Sequence, residues 1–256
     1  DLLYFRIDRK RKLPITTFLY ALGYSRKEIL DIFYEFKTFS FDKEKKIWKT
    51  QFNPADYKRP IKLRNDLINL KNNKIELKKG SKINFTIAKK LFDQGLKNIL
   101  FVSEYFIGKY IKNDLLNPTT NEVFLKSGSL INQENINIIL EYNILTLEIA
   151  NVDPVTKGSY LIDTLNLDKN NSKEEAINDM YKVLRPGEPP SFDVAKEIFN
   201  NLFFKSERYD LSDVGRVKLN NKLHLQCSDN ITILRNDDIV AIIKHMLDLK
   251  DGKGEV

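Results

Sequence analysis

The run RIDRKRK at 6–12 gathers Arg6, Arg9, Lys10, Arg11 and Lys12 around a single carboxylate, Asp8. Guanidinium forks match the geometry of phosphate oxygens better than ammonium point charges do. The chain otherwise prefers lysine, so three arginines here stand out as phosphate-contacting candidates. Two other readings stand beside that one: a solvated basic turn, or arginines paired with acidic residues in a core. A second basic run, KRPIKLR at 58–64, relies on lysine and reads as a solvated face.

Other reactive side chains are few. Cys227 is the only cysteine, which excludes an intrachain disulfide and a multi-cysteine zinc site and fits a reducing cytosol. No flanking signature marks it as a nucleophile, and it reads as structural. His224 and His245 are the only histidines, too few for histidine-rich metal sites. No phosphate-binding glycine loop, dinucleotide fingerprint or zincin spacing occurs. GKGE at 252–255 reads as a helix cap, Asp237 and Asp238 as carboxylates complementing a helix N-terminus, and Met180 and Met246 as core residues.

The elements that position these residues follow from periodicity. With 256 residues and 42% hydrophobic content the chain has material for one large domain or two ordinary ones. The net charge of +7 permits a polyanionic partner but could also arise from a general lysine and asparagine bias. No apolar run is long enough to span a membrane. The opening residues have neither an initiator Met nor a signal peptide and read as cut from something longer.

Ile15–Leu22 is predicted as a helix ending at Gly23. Ser25 and Glu28, in capping-box spacing, open another with Ile29, Leu30, Phe33 and Phe36 on one face. From about 40 to 145 the texture is mixed. Strands are predicted in FSFDKEKKIWKTQF, KIELKKG, KNILFVS, EYFIGKYIK and ILTLEIA, and helices in TIAKKLFDQG and from Asn132 to Tyr142. Ser172 and Glu175 open a helix with Ile177, Met180, Tyr181 and Leu184 inward. RPGEPP at 185–190 then forms a rigid elbow, because Pro186 cannot continue the helix and Gly187 supplies an unusual backbone. Ser191 serves as the next N-cap, and the helix behind it buries Ala195, Ile198, Phe199, Leu202 and Phe203. A last helix spans Asn236 to Leu249. The fold class is α+β: a helical base with short strands, interrupted by a mixed α+β subdomain.

Three blocks carry a resemblance: RIDRKRKLPITTFLYALGYS with KEILDIFYEF, then YKVLRPGEPPSFDVAKEIFNNLFFKSERYDLSDVGRVKLN, then LRNDDIVAIIKHMLDLKDGKGEV. Together they resemble the β subunit of bacterial DNA-directed RNA polymerase, in that family's order, over roughly half the chain. The resemblance implies the lobe of the β pincer, built from 1–40 and 143–256, with a lineage-specific insertion at 41–142. LKKGSKINFTIAKKL and SEYFIGKYI resemble parts of such insertions. It further implies a place on the DNA cleft, with Arg6, Asp8, Arg9, Lys10, Arg11, Lys12, Lys182 and Arg185 facing downstream duplex and the non-template strand. NVDPVTKGSY at 151–160 aligns with a loop crossing the cleft. The implied partners are DNA, the β′, α and other polymerase subunits, a sigma factor, and regulators docked on the insertion; no membrane is implied. The implied compartment is the bacterial cytoplasm. The parent enzyme is a nucleotidyltransferase whose magnesium ions are held mainly by the β′ subunit, so this piece is expected to hold no cofactor and to be inactive alone. The alternative is a regulator-docking scaffold with little direct DNA contact.

Overall fold

A computed structural model of the chain describes residues 1–7, 9, 11–153, 157–189 and 191–254. The fold is α+β, as predicted, and divides into two compact units. Unit 1 comprises 1–34 and 152–256, and unit 2 comprises 35–151. The changeovers fall at 34/35 and 151/152 rather than at 40/41 and 142/143.

Unit 1 opens with strands β1 (Tyr4–Arg6) and β2 (Lys12–Pro14), an antiparallel hairpin that the sequence reading did not anticipate. Helices α1 (Ile15–Leu22) and α2 (Arg26–Phe33) follow. Gly23 ends α1 with φ of 103°, a left-handed conformation that glycine adopts without a Cβ clash. Ser25 and Glu28 make the reciprocal capping box that starts α2. Phe36 is not on that helix: α2 ends at Phe33, and Phe36 begins the first strand of unit 2.

Unit 2 contains β3 (Phe36–Asp42), β4 (Ile47–Gln51), β5 (Ile61–Lys62), β6 (Leu67–Asn69), β7 (Ile75–Leu77), β8 (Lys82–Ile83), α3 (Phe85–Asp93), β9 (Asn98–Phe101), β10 (Leu115–Leu116), β11 (Val123–Leu125), α4 (Gln133–Glu141) and β12 (Thr146–Ala150). Six of these strands form one antiparallel sheet in the order β12-β3-β4-β9-β6-β7. Two apolar clusters pack on it. One surrounds Trp48, Phe39 and Phe106 under α4; the other surrounds Phe52, Ile83 and Ala88 under α3. EYFIGKYIK, read as a strand, instead starts in a 3-10 turn at Ser103–Phe106, which drives Phe106 fully into the first cluster.

The chain returns to unit 1 with α5 (Tyr160–Leu167), α6 (Lys173–Leu184), α7 (Phe192–Phe203), α8 (Ser212–Leu223) and α9 (Asn236–Lys250). Side chains stand in for missing caps here. The Tyr34 hydroxyl accepts from the backbone N–H groups of Leu161 and Ile162 at 3.2 and 3.4 Å, so the end of α2 satisfies orphan donors at the start of α5. Burial pushes the Tyr34 phenol well above its ordinary range, which keeps it neutral. Asp168, after α5, accepts from the Thr16 and Thr17 hydroxyls at 2.5 and 2.9 Å and ties that end to α1.

The elbow is closed by a contact not visible in the sequence pattern: the Tyr181 hydroxyl donates to the Glu188 carboxylate at 2.9 Å. Gly187 has φ of 91° with open space where a Cβ would stand. Gly187→Ala is therefore expected to cost about 1 kcal/mol through backbone strain alone, read as a lowered thermal midpoint with no repacking of α6 or α7. Ser191 occupies the N-cap of α7 as predicted, but its side chain makes no capping hydrogen bond. Ser172 caps α6 through the Glu175 N–H, while Glu175 reaches back to the Asn171 N–H rather than to Ser172.

Candidate nucleic-acid interface

The described cations of the basic run belong to the β1–β2 hairpin: Arg6 ends β1, Lys12 begins β2, and Arg9 and Arg11 lie between them. Alternation along the first strand sends Leu3, Phe5 and Ile7 inward and Tyr4 and Arg6 outward. Phe5 stacks on Phe18 of α1 at 5.1 Å between ring centroids, and Phe18 packs on Phe199 and Phe203 of α7 at 5.9 and 4.9 Å. Ile7, 4% exposed, lines the same apolar cleft as Met180, Tyr181 and Leu184. The turn is thus rooted beside the last turn of α6.

Arg6, Arg9, Arg11 and Lys12 are all exposed, and among the described residues none of the four makes an ion pair. Arg6 stands directly across the hairpin from Lys12, whose ammonium lies 4.3 Å from the centre of the Tyr4 ring. Like charges directly opposed on a sheet repel. Arg9 adopts φ of 55°, a left-handed conformation. These positions do not fit arginines held by core carboxylates. Asp8 and Lys10 lie outside the described residues.

Lys182 and Arg185 sit at the C-terminal end of α6, where cations complement the helix dipole. Lys182 is 60% exposed and pairs loosely with Asp179 at 3.3 Å, one turn back. Arg185 is the exposed C-cap residue, its N–H donating to the Tyr181 carbonyl. In the 151–160 loop, Pro154–Thr156 lie outside the described residues. Its remainder is anchored: the Gly158 N–H donates to Asp251 at 2.9 Å, and Asp153 bridges to Lys157.

The buried charges of unit 1 lie elsewhere. Arg216 and Asp238 are both fully buried and paired at 2.8 Å. Arg216 also donates to the Ile231 and Ile233 carbonyls, and Arg235 approaches Asp238 at 3.0 Å. Asp238 therefore does more than complement the start of α9, which was its expected role: it joins α8 to α9. Burial pushes its carboxyl up, but hydrogen bonds from Arg216 and Arg235 outweigh that effect and hold it below the usual aspartate value. Among the described residues no cluster of three or more His, Cys, Asp or Glu could hold a metal ion, and no helix is long and apolar enough to cross a membrane.

Comparison with known proteins decides the family. The family described as RNA polymerase Rpb2, domain 2, matches residues 123–256. The chain belongs to that family. The match begins inside unit 2, at β11, and continues through the whole second part of unit 1. The similarity to bacterial β subunits extends further. The chain is 41% identical over 256 residues to the DNA-directed RNA polymerase subunit beta of Caulobacter vibrioides (strain NA1000 / CB15N), covering all of this chain and 19% of that protein. It is 44% identical to the subunit of the same name from Chelativorans sp. (strain BNC1), again covering the whole chain and 18% of the relative. For Rickettsia rickettsii (strain Sheila Smith) the identity is 43% over 254 residues, or 99% of the chain and 18% of the relative. The chain thus spans about a fifth of the length of the curated relatives it matches. Family membership bears out the resemblance read from the three sequence blocks.

Proposed function

We propose that the chain is the lobe of the β pincer in a bacterial, cytoplasmic RNA polymerase and lines the DNA cleft. Its hairpin contacts the phosphates of downstream duplex and the non-template strand through Arg6, Arg9, Arg11 and Lys12, and the family resemblance adds Asp8 and Lys10 to that set. Lys182 and Arg185 extend that edge, and the elbow at 185–190 sets its direction. The β′, α and sigma subunits are its proposed neighbours. Phosphodiester formation and the magnesium ions that assist it are assigned to other parts of the parent enzyme.

The observation that carries this reading is the hairpin: four cations exposed without a carboxylate partner among the described residues, on a turn anchored by Phe5 and Ile7. Phosphate contacts release counterions, so each one adds about 0.9 to the slope of log affinity against log salt. In polymerase assembled with full-length β subunit, replacing Arg6, Arg9 and Arg11 by alanine is expected to flatten that slope for promoter DNA by about 3. An unchanged slope in a folded variant would show that the turn is merely solvated.

A further inference from the structure

The chain's charge is segregated. Unit 1 holds twenty-two lysines and arginines and twenty-two aspartates and glutamates, so residues 35–151, with twenty against thirteen, carry the whole net +7. Within unit 2 the division is sharper: residues 43–97 sum to +11 and residues 98–151 to −3. A general lysine bias would raise both units alike, and it does not.

The fold gathers six of these cations at and beside the β5–β8 pair. In the β5–β8 pair, Ile61 stands opposite Ile83 and Lys62 opposite Lys82. Ile83 is fully buried in the cluster under α3, with Ile61 packed against it, so alternation turns the two lysines outward side by side. Hydrogen bonds from Leu63 to Ser81 and from Gly80 to Leu63 extend the ladder and bring Lys78 and Lys79 to its end. Lys58 and Arg59 precede β5. All six of these cations are exposed, and none has an ion pair among the described residues. The nearby carboxylates are engaged: Asp56 by Lys37 at 2.7 Å, and Asp66 by the Lys79 backbone N–H at 2.7 Å. Directly after β8, Phe85 opens α3 with 43% of its surface exposed.

We infer that this face of unit 2 is a second nucleic-acid contact, separate from the hairpin, which holds a phosphodiester backbone. Opposed lysines repel one another until a polyanion lies across them. An exposed aromatic beside a cationic track offers a base a stacking surface, which favours nucleic acid over an acidic protein. The inference depends on the proposed polymerase role only for the nucleic acids within reach.

The test uses polymerase assembled with full-length β subunit in which Lys62, Lys78, Lys79 and Lys82 are replaced by alanine. A second variant carries glutamine at all four positions to preserve side-chain stems, and a third carries arginine to preserve charge. Binding is measured against salt with two probes, a promoter duplex with extended flanks and a single-stranded RNA. For at least one probe the alanine and glutamine variants are expected to lose on the order of tenfold in affinity, with a slope flatter by about 3 to 4. The arginine variant is expected to keep the wild-type slope. Loss with the duplex assigns the face to flanking DNA, and loss with RNA assigns it to the transcript. Unchanged slopes with both probes overturn the inference and leave an acidic protein as the occupant; loss in the arginine variant overturns it too, since charge would then not be the cause. The hairpin variant is titrated in parallel, so the two surfaces stand or fall separately.

Discussion

Arg216→Ala is expected to destabilise unit 1 by about 3–5 kcal/mol, because it strands the buried Asp238 carboxylate without its main partner. The substitution also frees the Ile231 and Ile233 carbonyls. A denaturant midpoint for unit 1 measures the loss, and a wild-type midpoint would show that water replaces the guanidinium. Exchanging both members of the pair, Arg216→Met with Asp238→Leu, is expected to cost much less, since no unpaired charge remains. The pair also sets an acid limit. An unfolded aspartate titrates near about 3.9, and folded Asp238 lies below that value. Its contribution is therefore complete above the unfolded value and is lost as pH falls through the folded one. The stability gap between wild type and Asp238→Asn should accordingly narrow in acid and stay constant near neutrality.

Trp48→Ala is expected to cost unit 2 about 3–5 kcal/mol. The indole is fully buried, contacts the Phe41 and Phe106 rings at 4.9 and 5.1 Å, and donates to the Ser103 hydroxyl at 3.1 Å. Hydrogen exchange localises the effect: amides of β9 and β12 should lose protection while those of α1 and α6 keep theirs. Equal loss in both units would mean that they unfold as one. Trp48→Phe, which leaves a smaller void, should fall between the two.

The contrast between Arg216 and Arg9 shows what the residue string can disclose. Both are arginines, yet one is fully buried and the other exposed with a left-handed backbone. Local spacing does not encode that difference; it depends on Asp238, twenty-two residues away, closing over Arg216. The same pair explains why α8 escaped the periodicity search. The residues it buries are Arg216 and Asn220, so its inward face is polar where an apolar stripe was sought. The hairpin at 4–14 escaped for a different reason: its strands have three residues each, and the basic run between them dominated the reading. Caps were more legible, because Gly23, Ser25 with Glu28, and Ser172 with Glu175 act through their immediate neighbours. Charge at the candidate site was legible as well. Its exposure was not, and neither was the opposition of Lys62 to Lys82, which lie twenty residues apart and meet only across the β5–β8 pair.

The way the chain enters and leaves unit 2 makes that unit a cassette. Its first strand, β3, and its last, β12, are antiparallel neighbours with Phe36 opposite Ala150, and the Asn151 N–H donates to the Glu35 carbonyl at 2.8 Å. Two chain ends held one strand spacing apart can be joined by a tight turn, so the intervening 117 residues can be gained, lost or exchanged without lengthening the path of the host. Unit 2 can thus change its length or surface while the helices of unit 1 keep their own sequence and packing.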